Sequence, residues 1–96
     1  MKTEIITIAE HKKRDKGFEL YYRLDIAEIR LEEGVFPSYS IYTSIDSTVN
    51  TYHDETTIHN VTSNREVAMD LFKLIYRGSV TPLTLADVTE DFLSDH

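Results

Sequence analysis

The hydrophobic period of this chain changes once, and the change decides what the chain can fold into. Up to about residue 60 apolar side chains recur every second residue; beyond it they recur every third and fourth. Phe18, Leu20, Tyr22, Leu24 and Ile26 alternate with Glu19, Tyr21, Arg23 and Asp25, the pattern of a strand with one buried and one wet face. Tyr39, Ile41, Thr43 and Ile45 repeat it between Ser40, Tyr42 and Ser44. Shorter strands are expected over Ile5 to Ile8 and Thr56 to Val61. Gly17 is expected to close a polar loop from His11 to Lys16, while Gly34 and Pro37 punctuate the connection between the two long strands.

The helical part carries its own punctuation. Ser63 followed three residues later by Glu66 matches a capping box, in which the serine oxygen accepts the Glu66 backbone N–H and the carboxylate reaches back to the Ser63 N–H. Val67, Ala68, Leu71, Phe72, Leu74 and Ile75 then draw one broad apolar stripe, with Arg65, Asp70, Lys73 and Arg77 mostly opposite. Gly78 stands where a left-handed C′ residue is expected, and Arg77 complements the negative end of the helix dipole. Thr81-Pro82 is expected to restart a helix, with threonine as cap and proline at the first helical position. Leu85, Val88 and Phe92, flanked by Leu83 and Leu93, form a second buried stripe. Strands first and helices last predict an α+β domain: a small antiparallel sheet of three or four strands covered by two C-terminal α-helices, in one domain spanning 1–96.

Ninety-six residues suffice for one core, burying roughly 60–70% of the extended-chain surface, and leave no room for a separate catalytic domain. Without cysteine, disulfides, thiolate nucleophiles and cysteine zinc sites are excluded. No apolar run approaches a membrane span and the N-terminus lacks a signal-peptide stretch, so no membrane association and a cytoplasmic location are expected. Residues 1–30 hold seven bases against six acids, and residues 31–96 three against eleven. Two helices joined by a short turn suggest a helix-turn-helix, but Asp87, Glu90, Asp91 and Asp95 would repel phosphates, so DNA is not expected to bind the C-terminal helices. Lys12, Lys13, Arg14 and Lys16 form a basic cluster that could touch a polyanion, but Glu10 and Asp15 dilute it and no aromatic stacking platform sits within it, so a solvated loop is the preferred reading.

One cluster has ligand chemistry. His53, Asp54 and His59, with Glu55, offer imidazole and carboxylate for a divalent metal, provided that a hairpin turning near Asp54-Glu55 brings His53 toward His59. The spacing matches no established zinc pattern, and polar residues are the ordinary content of an exposed turn. There is no glycine-rich phosphate cradle and no nucleophile elbow, so no cofactor and no catalytic residue are expected.

Tyr21 and Tyr22 point to opposite sides of one strand, as do Tyr39 and Tyr42 of the next, so one of each pair should join the core. Between Pro37 and His53 the only formal charge is Asp46. An edge strand without gatekeeping charges either lies inside the sheet or pairs with another chain. The expectation taken from it is a protein partner or a two-fold homodimer through Tyr39, Ile41, Tyr42 and Thr43, the alternative being an interior strand.

Ile58-His-Asn-Val-Thr-Ser63, the helix after it, Val80-Thr-Pro82-Leu-Thr-Leu85-Ala-Asp-Val88 and Glu90-Asp-Phe-Leu93 resemble a family of short bacterial proteins known only as a domain of unknown function. Tyr39-Ser-Ile41 is similar to that family's Tyr-Gly-Ile strand, with Ser40 in place of the glycine. The resemblance covers about the C-terminal 40 residues and implies a bacterial cytosolic setting without an activity or a functional residue. Taken together, these readings point to a small interaction or regulatory protein without catalytic activity, with a metal-binding protein or metal-dependent enzyme using His53, Asp54 and His59 as the alternative.

Overall fold

A computed structural model of the chain describes residues 4–95. Four strands, β1 (Ile5–Asp15), β2 (Phe18–Leu31), β3 (Gly34–Ser47) and β4 (His53–Thr62), form one antiparallel sheet in the order β1-β2-β3-β4. Two helices, α1 (Arg65–Arg77) and α2 (Leu85–Ser94), follow and pack on one face. The α+β architecture expected from the change of period is therefore present, with the larger strand number.

The strands run longer than their apolar patterns. β1 continues through the His11-to-Asp15 stretch expected to be a loop, because backbone pairing with Phe18 to Tyr22 outweighs the polar composition. The hairpin closes on Lys16 and Gly17, both with positive φ (46° and 86°), the handedness that a two-residue turn between right-twisted strands requires. β2 and β3 are joined through Glu32-Glu33, so Gly34 and Pro37 lie within β3 and not in the connection. Pro37 is tolerated there because β4 pairs with β3 only up to Tyr39↔Thr62, leaving the outer side of the Pro37 segment without a ladder to interrupt. The β3–β4 loop covers residues 48–52, so the hairpin expected near Asp54-Glu55 does not exist; both residues are inside β4.

β3 is an interior strand, hydrogen-bonded to β2 on one side and β4 on the other. Tyr39, Ile41 and Thr43 face the helices and are buried, with Ile41 and Thr43 wholly inaccessible. This corrects the expected interface: the edge needed for pairing with a second chain is already used, and only Tyr42 of the four lies on the uncovered face. The tyrosines divide as their alternation requires. Tyr22 and Tyr39 are core, whereas Tyr21 and Tyr42 are outward.

Both helices differ from expectation at their ends. The α1 N-cap is Asn64, whose Oδ1 accepts the Val67 N–H at 3.0 Å, and Ser63 is exposed one residue outside the helix. Asparagine caps as well as serine, and with Asn64 as cap the helix starts one residue later than Ser63 would have started it. At the C-terminus Gly78 has an ordinary φ of −84°, and the left-handed residue is Ser79 at φ 52°. The Val80 N–H returns to the Ile75 carbonyl at 3.1 Å and the Ser79 N–H to Tyr76 at 3.4 Å, which is the Schellman pattern displaced by one residue. Thr81 to Thr84 form a single turn, so α2 begins at Leu85, later than Pro82 suggested, and Leu83 is exposed.

The core consists of Leu20, Tyr22 and Leu24 from β2, Tyr39 and Ile41 from β3, Ala68, Leu71, Phe72 and Ile75 from α1, with Val80 and Leu85 after it. Leu74, expected inside, is nearly half exposed, because the α1 face that meets the sheet is narrower than its apolar stripe. The helices cover only the end of the sheet that contains these residues. Beyond Ala27 the β2–β3 hairpin runs out from under them in a molecule measuring 50 × 32 × 18 Å.

Candidate functional site

The sheet face opposite the helices carries a connected set of aromatic and charged side chains. Odd-numbered β2 residues and even-numbered β3 residues point there, with cross-strand neighbours from β1 and β4 in register. Tyr21 and Tyr42 meet edge to face at 6.0 Å between ring centres. The Lys12 ammonium lies 5.8 Å from the Tyr21 centroid and the Arg23 guanidinium 4.5 Å from that of Tyr42, both within cation–π range. Arg23 Nε donates to both carboxylate oxygens of Asp25 at 3.0 and 3.1 Å, and Thr7 Oγ1 donates to Asp25 at 2.8 Å. Arg23 is thus held over the Tyr42 ring by a mostly buried carboxylate.

The phenols end on carboxylates. Tyr21 donates to Glu10 at 2.7 Å and Tyr42 to Glu55 at 2.5 Å. Both phenols are shifted upward, Tyr21 chiefly by its hydrogen bond to Glu10, Tyr42 chiefly by loss of water and then by its bond to Glu55. Glu55 is shifted downward by the Tyr42 hydrogen bond and then by His53. His53 is shifted upward, first by Asp46, 2.5 Å from Nδ1, and then by Glu55, 3.4 Å from Nε2. The result is a chain of contacts from Tyr42 through Glu55 and His53 to Asp46 across β3 and β4.

This geometry also says why the residues singled out for metal do not act together. His53 and Asp54 are successive in a strand and point to opposite faces, and His59 lies six residues on, roughly 20 Å along the strand. His53 partners Asp46 and Glu55 instead. They engage opposite nitrogens of the ring, so their oxygens do not converge on one point. Among the described residues no group of three or more His, Cys, Asp or Glu side chains could hold a metal ion.

The basic cluster is divided between the two faces as well. Lys12 and Arg14 point outward, Arg14 pairing with Glu19 at 2.6 Å. On the other side His11 stacks on Tyr76 at 4.3 Å, and Lys13 Nζ donates to the Tyr76 carbonyl at 3.0 Å, where a cation meets the negative end of α1. Glu10, Arg23, Asp25 and Asp46 were not singled out by the sequence reading. The signal for Arg23 and Asp25 was present, since opposite charges two residues apart in a strand share a face; that for Glu10 and Asp46 required the strand register.

Concavity on this face is shallow. An open groove of about 680 Å³ passes Glu10, Lys12, Arg14, Glu19, Tyr21 and Asp46; within it Arg14 pairs with Glu19 across the β1–β2 ladder and Glu10 accepts from the Tyr21 hydroxyl. Glu10, Glu19, Asp25, Asp46 and Glu55 outnumber Lys12, Arg14 and Arg23 here. A family model described as a family of unknown function, DUF6514, matches residues 1–95. No curated protein and no solved structure matches the chain.

Proposed function

The chain belongs to the DUF6514 family, and we propose that it is a small non-catalytic binding protein whose uncovered sheet face receives a protein partner. The observation that carries this reading is the Tyr21–Tyr42 pair with Arg23 held over Tyr42 by Asp25. Tyrosine and arginine are the residue types enriched where proteins meet. Here they are fixed before any partner arrives, so little side-chain freedom remains to be lost on binding. The excess of carboxylates favours a partner with a neutral or basic contact surface and disfavours nucleic acid, as do the acids of α2. The resemblance to short bacterial proteins supports a bacterial cytoplasmic setting.

The test uses the whole protein as bait, beside a variant carrying Tyr21→Thr and Tyr42→Thr, which leaves the Arg23–Asp25 pair in place. Both changes fall on the uncovered face, so the fold should persist, checked by circular dichroism. A protein retained by the wild type, lost with the variant and bound again from purified components supports the reading. Equal retention by both baits, or no partner that binds in purified form, overturns it.

A further inference from the structure

Within residues 4–95 the β2–β3 hairpin beyond Ala27 is an arm without cover. Among the described residues, Glu28 to Leu31 of β2 and Gly34 to Ser38 of β3 pair only with each other, since β1 starts opposite Ala27 and β4 ends opposite Tyr39. A two-stranded ribbon alone in water is marginally stable at best and needs a further layer against an apolar face. This arm has such a face. On the side opposite the helices, Ile29 is paired with Phe36, with Leu31 on one side and Ile5 on the other, and their exposures are 37%, 43%, 56% and 64%. The arm's charged strand residues, Glu28 and Arg30, alternate to the other side. In a chain with net charge −7, a face free of charge is where two copies can approach without repulsion.

We infer that this apolar arm face is a self-association surface, and that its occupant is the same face of a second copy related by a two-fold axis. Fully covered, the four residues would remove roughly 350 Å² from water, about three-quarters of the apolar share of the roughly 800 Å² that each partner buries in a standard interface. A two-fold axis lets one patch complement itself, Phe36 of each copy packing over Ile29 and Leu31 of the other. An anionic membrane fits poorly, because Glu32 and Glu33 occupy the tip that would have to enter it. The same glutamates turn away a nucleic acid. This patch occupies the far end of the same sheet face, with Ile29 six residues and roughly 20 Å along β2 from Arg23, and shares no residue with the Tyr21, Arg23 and Tyr42 set, so the inference does not depend on the function proposed above.

The absence of cysteine makes the test direct. Sedimentation of the wild-type protein from low to high micromolar concentration should reveal a species of twice 11.1 kDa. Leu31→Thr with Phe36→Thr should reduce it to a monomer, and Tyr42→Thr should leave the dimer intact. Should the double variant not fold, single cysteines decide: Phe36→Cys or Ile29→Cys should cross-link between copies at least about tenfold faster than Val49→Cys at the far end of the sheet. A wild-type monomer at all concentrations overturns the inference, as does a dimer that the arm variants leave unchanged or equal cross-linking at both ends. If the wild type is a monomer but the arm variants lose a captured protein, the arm belongs to a different partner and the second-copy assignment fails. None of these outcomes changes the bait experiment, whose variant leaves the four arm residues intact.

Discussion

The Tyr22 hydroxyl donates to the Val80 carbonyl at 2.8 Å, joining the middle of the sheet to the residue that ends the α1 capping motif. Tyr22 has no solvent exposure, and burial, with a smaller contribution from Asp15, pushes its phenol up to about 12. The bond ties two levels of structure. The Schellman turn that stops α1 also aims the carbonyl that the buried phenol needs.

Tyr22→Phe should destabilise the protein by about 1–3 kcal/mol, since it leaves a buried carbonyl without its donor. The native phenol holds its proton more tightly than the unfolded one. The associated stability is therefore complete below pH 10 and lost as pH rises toward about 12. Alkaline unfolding followed with the tyrosinate absorbance should shift to a different pH in the phenylalanine variant; an unchanged profile would contradict the assignment.

Leu71 and Leu74 look equivalent in the helical pattern but are not. Leu71 is wholly buried and Leu74 is 47% exposed. Leu71→Ala should cost about 2–5 kcal/mol, and Leu74→Ala distinctly less. Urea midpoints of the two variants, compared at equal m-value, give the order directly.

At the start of α1, Asn64→Ala should cost about 1 kcal/mol through loss of the bond to the Val67 N–H. Ser63→Ala should be nearly neutral. The reverse order in thermal denaturation would restore Ser63 as the cap.

Thr43 is fully buried beneath the helices, and its Oγ1 has no hydrogen-bond partner among the described residues. Thr43→Val keeps the shape and removes a dehydrated hydroxyl, so it should raise stability by about 1 kcal/mol or more. A lower melting temperature in the valine variant would show that the hydroxyl is satisfied in solution.

His53 should titrate above the usual histidine value, and Asp46→Asn should bring it down, as followed by the ring proton shifts in NMR. A folded value above the unfolded one means that this contribution is complete below the ordinary histidine pKa and fades as pH rises through the raised one. Because its two carboxylate partners sit at opposite nitrogens, stoichiometric zinc should leave both the titration and the melting temperature unchanged.

Local patterns determined the element types of this protein. Alternation at Phe18 to Ile26 and Tyr39 to Ile45, and three- and four-residue spacing from Val67 to Ile75, each follow from a backbone that turns its side chains at a set period. The same alternation assigned Tyr22 and Tyr39 to the core and Tyr21 and Tyr42 to the other side. Tertiary structure decided what depends on neighbours distant in sequence. The polar residues from His11 to Asp15 became a strand because β2 supplies their hydrogen bonds, and Tyr39, Ile41 and Thr43 became core because the helices cover the face they point to, while β4 takes up the backbone edge of their strand. Leu74 came to be exposed because the contact between α1 and the sheet is narrower than the apolar stripe. The partners of His53 depended on register. Asp46 lies seven residues back but directly across the ladder, whereas His59, on the same strand, is held out of reach by the extended backbone between them.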